Sequence, residues 1–515
     1  MDKSGSFLKG ALVLSVAGAL SKILGAVYRI PLARLLGGEG MGLYQMAYPI
    51  YTTILALATA GVPVAISVLV ARQETRGFSG DSQKIFHLAL KILLVFGFIL
   101  TGMVMLSAHF LANTVLNQPQ AYYPILAVAP AIFFSGVMSV FRGYFQGHQR
   151  MMPTAVSQVI EQLFRVSAVI LLAFMLFPRG LEYAAAGATS GAVVGGFVGL
   201  IVLIIFYYKH KQTSAQAPGQ LLYSGITSTQ LARELIALAI PVSIGAVILP
   251  LVQVLDAIIV PGRLMAINYS TAQATALYGE LAGMAAILIG LPTIFTISIA
   301  TSLVPAISEA LAQKDHPLLN NRLNNALRAG MIISFPCAAG LYALAFPICA
   351  LLYATPEAGV PLEFLAFSTV ALAAFQLSSA GLQGIGQPQI AMRSLILTGV
   401  LKTIFNYSLT SIPALNIRGA ALGTLAAFTI GCLFNLYYLR RMTGVKYETG
   451  RMLKLVLITV VMGITAKMSY GFLVAYGLGA GYATVLAILA GVGIYGGLLL
   501  LFKEFELDMI KKMAR

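Results

Sequence analysis

Long apolar runs alternate with short polar breaks along the whole chain. A bilayer core of about 30 Å takes about 20 helical residues. Runs of that length lie near residues 7–36, 43–72, 84–112, 121–146, 153–177, 181–208, 231–260, 275–312, 319–353, 363–384, 390–412, 418–441, 451–475 and 480–502. The pattern predicts an all-α polytopic membrane protein with fourteen transmembrane helices, numbered here as segments 1–14. The first run continues from Phe7 past Leu36, longer than the apolar part of a cleavable signal.

The breaks carry a second pattern. With both termini placed in the cytoplasm, the lysines and arginines of the connections gather on that side. Only Arg179, Arg263 and Arg418 fall on the other. This is the positive-inside distribution, and it predicts a multi-pass membrane protein with both termini cytoplasmic. Ten prolines lie inside the segments, among them Pro49, Pro63, Pro130, Pro292 and Pro305, and predict bent helices.

The segments also repeat. VPVAIS (62–67) in segment 2 resembles VPAIS (304–308) in segment 8. FQGHQRMMPTAVSQVIEQLFRV aligns with LQGIGQPQIAMRSLILTGVLKTIFN, which sets Gln146-Gly147 on Gln383-Gly384 and Arg165 on Lys402. Segments 6 and 12 each begin with a Gly-Ala turn, at Gly187 and Gly419, and end in a double tyrosine followed by bases. The offset is always six segments. The repeat predicts two pseudo-symmetric six-helix lobes of like orientation, with a site between the halves. The expected organisation is an N-lobe at 1–211, a cytoplasmic linker at 212–230 and a C-lobe at 231–445. Segments 13 and 14 with a cytoplasmic tail follow at 446–515. Two like lobes suit transport by alternating access.

Composition changes the picture little. The chain has 515 residues, 59% of them hydrophobic and 10% charged, against about 25% charged in soluble domains. The net charge of +16 follows from the topology signal, so no nucleic-acid partner is needed. Cys337, Cys349 and Cys432 sit in apolar runs without metal-ligand spacing. Neither a Walker sequence nor a dinucleotide fingerprint occurs, and no catalytic residue or cofactor is assigned. The expectation is a transporter and not an enzyme.

Charges at bilayer depth carry the candidate chemistry, because each costs roughly 2.5–3.5 kcal/mol to insert. Lys22 and Arg29 stand seven residues apart on one face of segment 1. They suit an anionic group such as a diphosphate, or else pair with carboxylates and hold helices together. Glu161 and Arg165 stand at i and i+4 and can pair along segment 5, as a structural pair or at a substrate site. Lys402 has Thr398 where an acid would stand, which leaves it freer to meet an anion. Asp256 is an isolated aspartate within segment 7. With Asn406, Thr410 and Thr424 it could hold Na⁺; alternatively it carries a proton or pairs with a lysine.

Four stretches together carry a family resemblance: SKILGAVYRIPLARLLGGEGMGLYQMAYPIY, GVPVAIS, RGYFQGHQRMMPTAVSQVIEQLFRV and LYGELAGMAAILIGLPTIFTISIATSLVPAISEA. They resemble the stage V sporulation protein B and polysaccharide-transport branch of the MOP exporter superfamily. That branch is related to MurJ-type lipid II flippases and more distantly to MATE drug antiporters. The resemblance implies a MATE/MurJ-like fold, with segments 13 and 14 forming part of a lipid-tail groove. It implies translocation of an undecaprenyl-diphosphate-linked glycan, in the nearest cases lipid II, from inner to outer leaflet by a monomer. The MurJ-type SRxLGxxRD pattern reads SKILGAVYR here. Lys22 and Tyr28 replace two arginines, and Arg29 stands in the aspartate's place. A sodium site is matched at Asp256, Asn406 and Thr424, with Thr410 where a second carboxylate is expected.

Three other readings remain. An exporter of another lipid-linked polysaccharide unit would share the same head-group chemistry. A MATE-like ion-coupled drug antiporter would need an acidic cavity. A wall-synthesis enzyme would show clustered acids or histidines at loop ends, and a scaffold would not need buried charges.

Overall fold

The computed structural model describes residues 3–215 and 222–502, and no strand occurs among them. Residues 216–221 of the expected linker and the tail from 503 lie outside the described residues. The helices, in chain order, are α1 (Lys3–Val27), α2 (Arg29–Thr59), α3 (Val62–Thr75), α4 (Ser79–Phe110), α5 (Tyr122–Val128), α6 (Pro130–Gly147), α7 (Met152–Leu176), α8 (Leu181–Ala215), α9 (Ser228–Ala266) and α10 (Thr271–Tyr278). There follow α11 (Ala286–Gly290), α12 (Thr293–Ala312), α13 (His316–Ala343), α14 (Ala345–Tyr353), α15 (Gly359–Leu365), α16 (Ser368–Gly384), α17 (Pro388–Thr410), α18 (Ile417–Thr443), α19 (Thr449–Ala475) and α20 (Ala480–Leu501).

Twelve helical stretches are long and apolar enough to cross a membrane among the described residues. They become thirteen when the pair Pro356–Leu365 and Ser368–Gly384, bent by 45°, is taken as one. The expectation was fourteen, and four places differ: segment 8 (275–312) counts as two stretches, Thr271–Gly290 and Thr293–Ala312, segment 10 (363–384) counts only through the bent pair, and two further segments are lost. Residues 13–75 form one stretch of 63 residues where two segments were expected. Helix α17 is present but is not among the twelve; Arg393, Lys402 and Asn406 make it polar for a span.

Proline explains part of the segmentation. Breaks precede Pro63, Pro130 and Pro292, where the ring cannot accept a continued helix without losing a hydrogen bond. Helix α2 runs on through Pro49, α12 through Pro305 and α13 through Pro336. The turn inside α2 falls instead at Gly37, whose φ of 64° excludes most side chains.

The chain divides into two compact units. Unit 1 runs up to Ile258 and includes Thr271–Gly279; unit 2 comprises Ile259–Ser270 and everything from Glu280. The core of unit 1 gathers Ile66, Leu69, Phe86, Val140, Phe145 and Leu203. Buried Asp81 pins the chain entering α9 to this unit, accepting hydrogen bonds from Ser224 N (2.9 Å) and from the Ser224 hydroxyl. Unit 2 has two cores. One is built on Leu303, Ile307, Leu323 and Leu377, and the other, on Met331, Leu455, Met462 and Tyr495, seats α19 and α20.

Close helix contacts at glycines recur from one unit to the other in the same register. A Cβ on Gly147 would lie 2.7 Å from Val70 Cβ and 3.0 Å from Ser67 O. One on Gly384 would lie 2.7 Å from Ile307 Cβ and 3.0 Å from Val304 O. All three positions shift by 237 residues (147 to 384, 70 to 307, 67 to 304). Gly199 meets Met138 and Glu161, while Gly431, 232 residues on, meets Phe375 and Thr398, each again 237 residues on from its counterpart. Gly191 against Val169 is matched by Gly423 against Asn406. This packing corrects one detail of the sequence repeat. The likeness of VPVAIS to VPAIS pairs Ser67 with Ser308, whereas the packing makes Val304 its equivalent, about one helical turn away.

Candidate substrate site

Helix α7 begins after the polar turn at 148–151 with Pro153 in its first turn, a position where a missing N–H costs nothing. Its residues Glu161 and Arg165 pair as their spacing predicts, Arg165 Nη2 donating to Glu161 Oε1 at 2.5 Å. A second arginine shares the carboxylate. Arg142, on α6, donates from Nη2 to Glu161 Oε2 at 2.7 Å and reaches Ser157 Oγ at 3.4 Å. Side-chain exposures are 21% for Arg142, 11% for Glu161 and 15% for Arg165, so the triad is largely withdrawn from solvent. It carries one net positive charge.

Helix α2 lays an aromatic face beside it. Tyr44, Tyr48 and Tyr51 recur at i, i+4 and i+7, the spacing that shares one side of a helix. Tyr44 and Tyr48 stack at 5.4 Å, and Tyr48 meets Tyr51 edge-on at 5.6 Å. The hydroxyls of Tyr28 and Tyr44 are 2.9 Å apart, and Tyr51 Oη lies 3.4 Å from Ser135 Oγ.

Two cavities of unit 1 meet at Tyr48 and Arg165. The first, about 270 Å³, is lined by Lys22, Tyr28, Arg29, Gln158, Gln162 and Arg165, with no acid in its wall. The second, about 320 Å³, is lined by Tyr51, Thr52, Thr59, Ser135 and Ser139 together with Arg142, Glu161 and Arg165. Arg29 Nε and Arg165 Nε are buried N–H donors without a hydrogen-bond acceptor. A buried donor left unmatched costs about 1–3 kcal/mol, more when charged. The arrangement can take an anion at the first cavity.

Of the residues expected from sequence, Lys22, Arg29, Glu161 and Arg165 thus come together in unit 1. Lys402 lies on α17 in unit 2, where it is engaged by another group. Asn406, Thr410 and Thr424 lie buried on the packed pair α17 and α18, while Asp256 belongs to unit 1. Thr410 Oγ1 is buried without a hydrogen-bond partner, and Thr424 Oγ1 donates to Ala420 O, keeping its lone pairs. Hard oxygens of this kind fit Na⁺. In the shared register Asn406 and Thr410 correspond to Val169 and Ala173, so the polar oxygens exist in the second copy alone. Among the described residues no group of three His, Cys, Asp or Glu could hold a metal ion.

Sequence reasoning missed Arg142 and the tyrosine face. The tyrosine spacing was a readable signal. Arg142, six residues before the turn at His148, reads as a helix-end charge until α6 is docked on α7.

Residues 7–311 match the family described as polysaccharide biosynthesis protein, and residues 264–408 match the family described as MatE. The chain belongs to the polysaccharide biosynthesis protein family of the MOP superfamily. Within it the chain falls in the branch of stage V sporulation protein B and MurJ, and it is a membrane transporter and not an enzyme. It is 32% identical to stage V sporulation protein B of Bacillus subtilis (strain 168), over 99% of this chain and 98% of that one. It is 29% identical to lipid II flippase MurJ of the same organism, over 99% and 97%. The fold matches a solved structure of lipid II flippase MurJ in an inward closed conformation, with a TM-score of 0.72 and 17% identity over 97% of this chain and 100% of that one. It also matches an inward-facing multidrug resistance MATE family transporter of the MOP superfamily, with a TM-score of 0.68 and 15% identity over 82% and 94%. The all-helical, multi-pass membrane architecture is that of this family.

Proposed function

We propose that the chain is a flippase that moves a lipid-linked glycan, an undecaprenyl-diphosphate-linked unit and specifically lipid II, from the inner to the outer leaflet. The observation that carries this reading is the first cavity of unit 1. Lys22, Arg29 and Arg165 line it, no carboxylate does, and two buried guanidinium N–H groups lack acceptors. A diphosphate offers acceptors in the forked geometry that arginine matches. An organic cation would meet only like charge there, which disfavours drug antiport.

The polyprenyl tail stays in lipid. An apolar groove of unit 2, about 470 Å³ and lined by Leu288, Ile333, Leu341, Met462, Ile488 and Tyr495, suits an isoprenoid chain. The full reading has fourteen crossings, two six-helix lobes that alternate access, both termini cytoplasmic and a monomer as the working unit. The domain division is the one expected at 1–211, 212–230, 231–445 and 446–515. Na⁺ or H⁺ at Asp256, Asn406, Thr410 and Thr424 couples the cycle. In this scheme Arg29 and Arg165 bind the diphosphate, Lys22 adds charge at the edge, and Glu161 holds Arg165 in place between cargoes.

Complementation of a strain depleted of its lipid II flippases tests the proposal. Rescue by the wild type is expected. Arg29→Gln removes charge-assisted hydrogen bonds worth about 1.5–3 kcal/mol each, roughly 10- to 150-fold in binding, and should abolish rescue. Normal expression without rescue excludes lipid II, and full rescue by Arg29→Gln refutes the anion role.

A further inference from the structure

The second cavity is chemically unlike the first, although the two share Tyr48 and Arg165. Its two arginines share one carboxylate, Glu161 giving one oxygen to Arg142 and the other to Arg165. Three of its hydroxyls are matched in a one-sided way. Thr52 Oγ1 donates to Pro49 O at 3.1 Å, Thr59 Oγ1 to Leu55 O at 2.7 Å and Ser139 Oγ to Gly136 O at 2.6 Å. Each has spent its only proton on a helix carbonyl. What remains on each oxygen is lone pairs, and the Glu161 carboxylate adds more.

Those hydroxyl oxygens cannot hydrogen-bond a phosphate, which is itself all acceptor at neutral pH, and the Glu161 carboxylate cancels one of the two guanidinium charges beside them. Such a wall suits a neutral ligand rich in O–H and N–H donors. The rings of Tyr48 and Tyr51 add apolar surface of the kind that covers the C–H face of a pyranose. At about 320 Å³ the cavity is near the lower end of ligand clefts, roughly 300–1,000 Å³, the size for one ring and not a whole oligosaccharide.

We infer that the cavity between α2, α6 and α7 is a subsite for the sugar joined directly to the diphosphate, with Arg165 and Tyr48 at the junction of the two parts. The inference rests on the diphosphate reading of the first cavity and deepens it. The head group would lie with its phosphates among Lys22, Arg29 and Arg165, and its first sugar would donate to Thr59, Ser139 and Glu161. The diphosphate selects the class of lipid; this subsite distinguishes a glycosylated lipid from a bare one.

The test uses the full-length protein in lipid nanodiscs and two probes: undecaprenyl diphosphate, and undecaprenyl diphosphate carrying a single N-acetylhexosamine. Affinity is measured for wild type, for Arg29→Gln and for Thr59→Val with Ser139→Ala. The double variant removes two acceptors whose own bonds lie within a helix, so the fold loses little. It should weaken the glycosylated probe about thirtyfold, two neutral hydrogen bonds' worth, and leave the bare probe unchanged. Unchanged binding of the bare probe also reports that the variant is folded. Equal weakening of both probes, or of neither, overturns the sugar subsite. Arg29→Gln should weaken both; if it weakens neither, the diphosphate reading fails while the sugar subsite is still judged on the double variant alone.

Discussion

Replacing Glu161 by glutamine tests the buried triad where it is most exposed to refutation. The carboxylate accepts from Arg165 at 2.5 Å and from Arg142 at 2.7 Å, with both partners mostly buried. Glutamine keeps the shape. It leaves one acceptor oxygen and turns an amide N–H₂ toward the other guanidinium. Two arginines then sit partly buried without a countercharge. Breaking a buried pair from one side costs about 3–5 kcal/mol. Arg72 and Glu234 supply an internal control, paired at 3.1 Å but with 44% and 46% exposure. An exposed pair is worth about 0–1 kcal/mol, so Glu234→Gln should barely register. Heating series on purified protein, read as the fraction that stays monodisperse, give the comparison. Glu161→Gln should melt well below wild type and Glu234→Gln close to it. Adding Arg142→Gln to Glu161→Gln should recover part of the loss by removing one stranded cation. Equal melting of Glu161→Gln and Glu234→Gln would refute the reasoning.

Three further outcomes are expected. Gly431→Ala should destabilise more than Gly199→Ala, because its Cβ would stand 2.0 Å from Thr398 Oγ1 on a stiff β-branched residue, whereas Gly199 faces the flexible Met138 thioether at 2.9 Å; Thr398→Ala should rescue Gly431→Ala in the same heating series. Asp81→Ala removes the acceptor of Ser224 N and should speed hydrogen exchange at that amide, with exchange in the core of α6 unchanged. Tyr495→Phe deletes the bond from its hydroxyl to Ile332 O at 2.9 Å, and a loss of about 1 kcal/mol in apparent stability should follow.

The helical class was legible because apolar runs of spanning length leave no alternative in lipid. Helix bends were legible only in part. Proline marks where a hydrogen bond can be lost, yet α2, α12 and α13 absorb theirs, and the turn at 37 comes from a glycine in a run containing several. The Glu161–Arg165 pair could be read because i and i+4 neighbours depend on one helix alone. Arg142 could not, since its partner lies 19 residues away on another helix. The repeat was visible at Gln146-Gly147 and Arg165, where α6 and α7 keep their spacing. It slipped by about a turn in α3, where the three-residue motif Ala-Ile-Ser matches out of register.

The shared carboxylate bears on turnover as much as on affinity. A carrier has to let go. If its cargo were the sole countercharge in reach, departure would strand a buried cation and the loaded form would become a trap. Glu161 gives both Arg142 and Arg165 a resident anion, and under the proposed function it would keep Arg142 when a diphosphate drew Arg165 away. Loaded and unloaded forms would thereby be kept close in free energy, which is what a cycle running many times in one direction requires of its resting points.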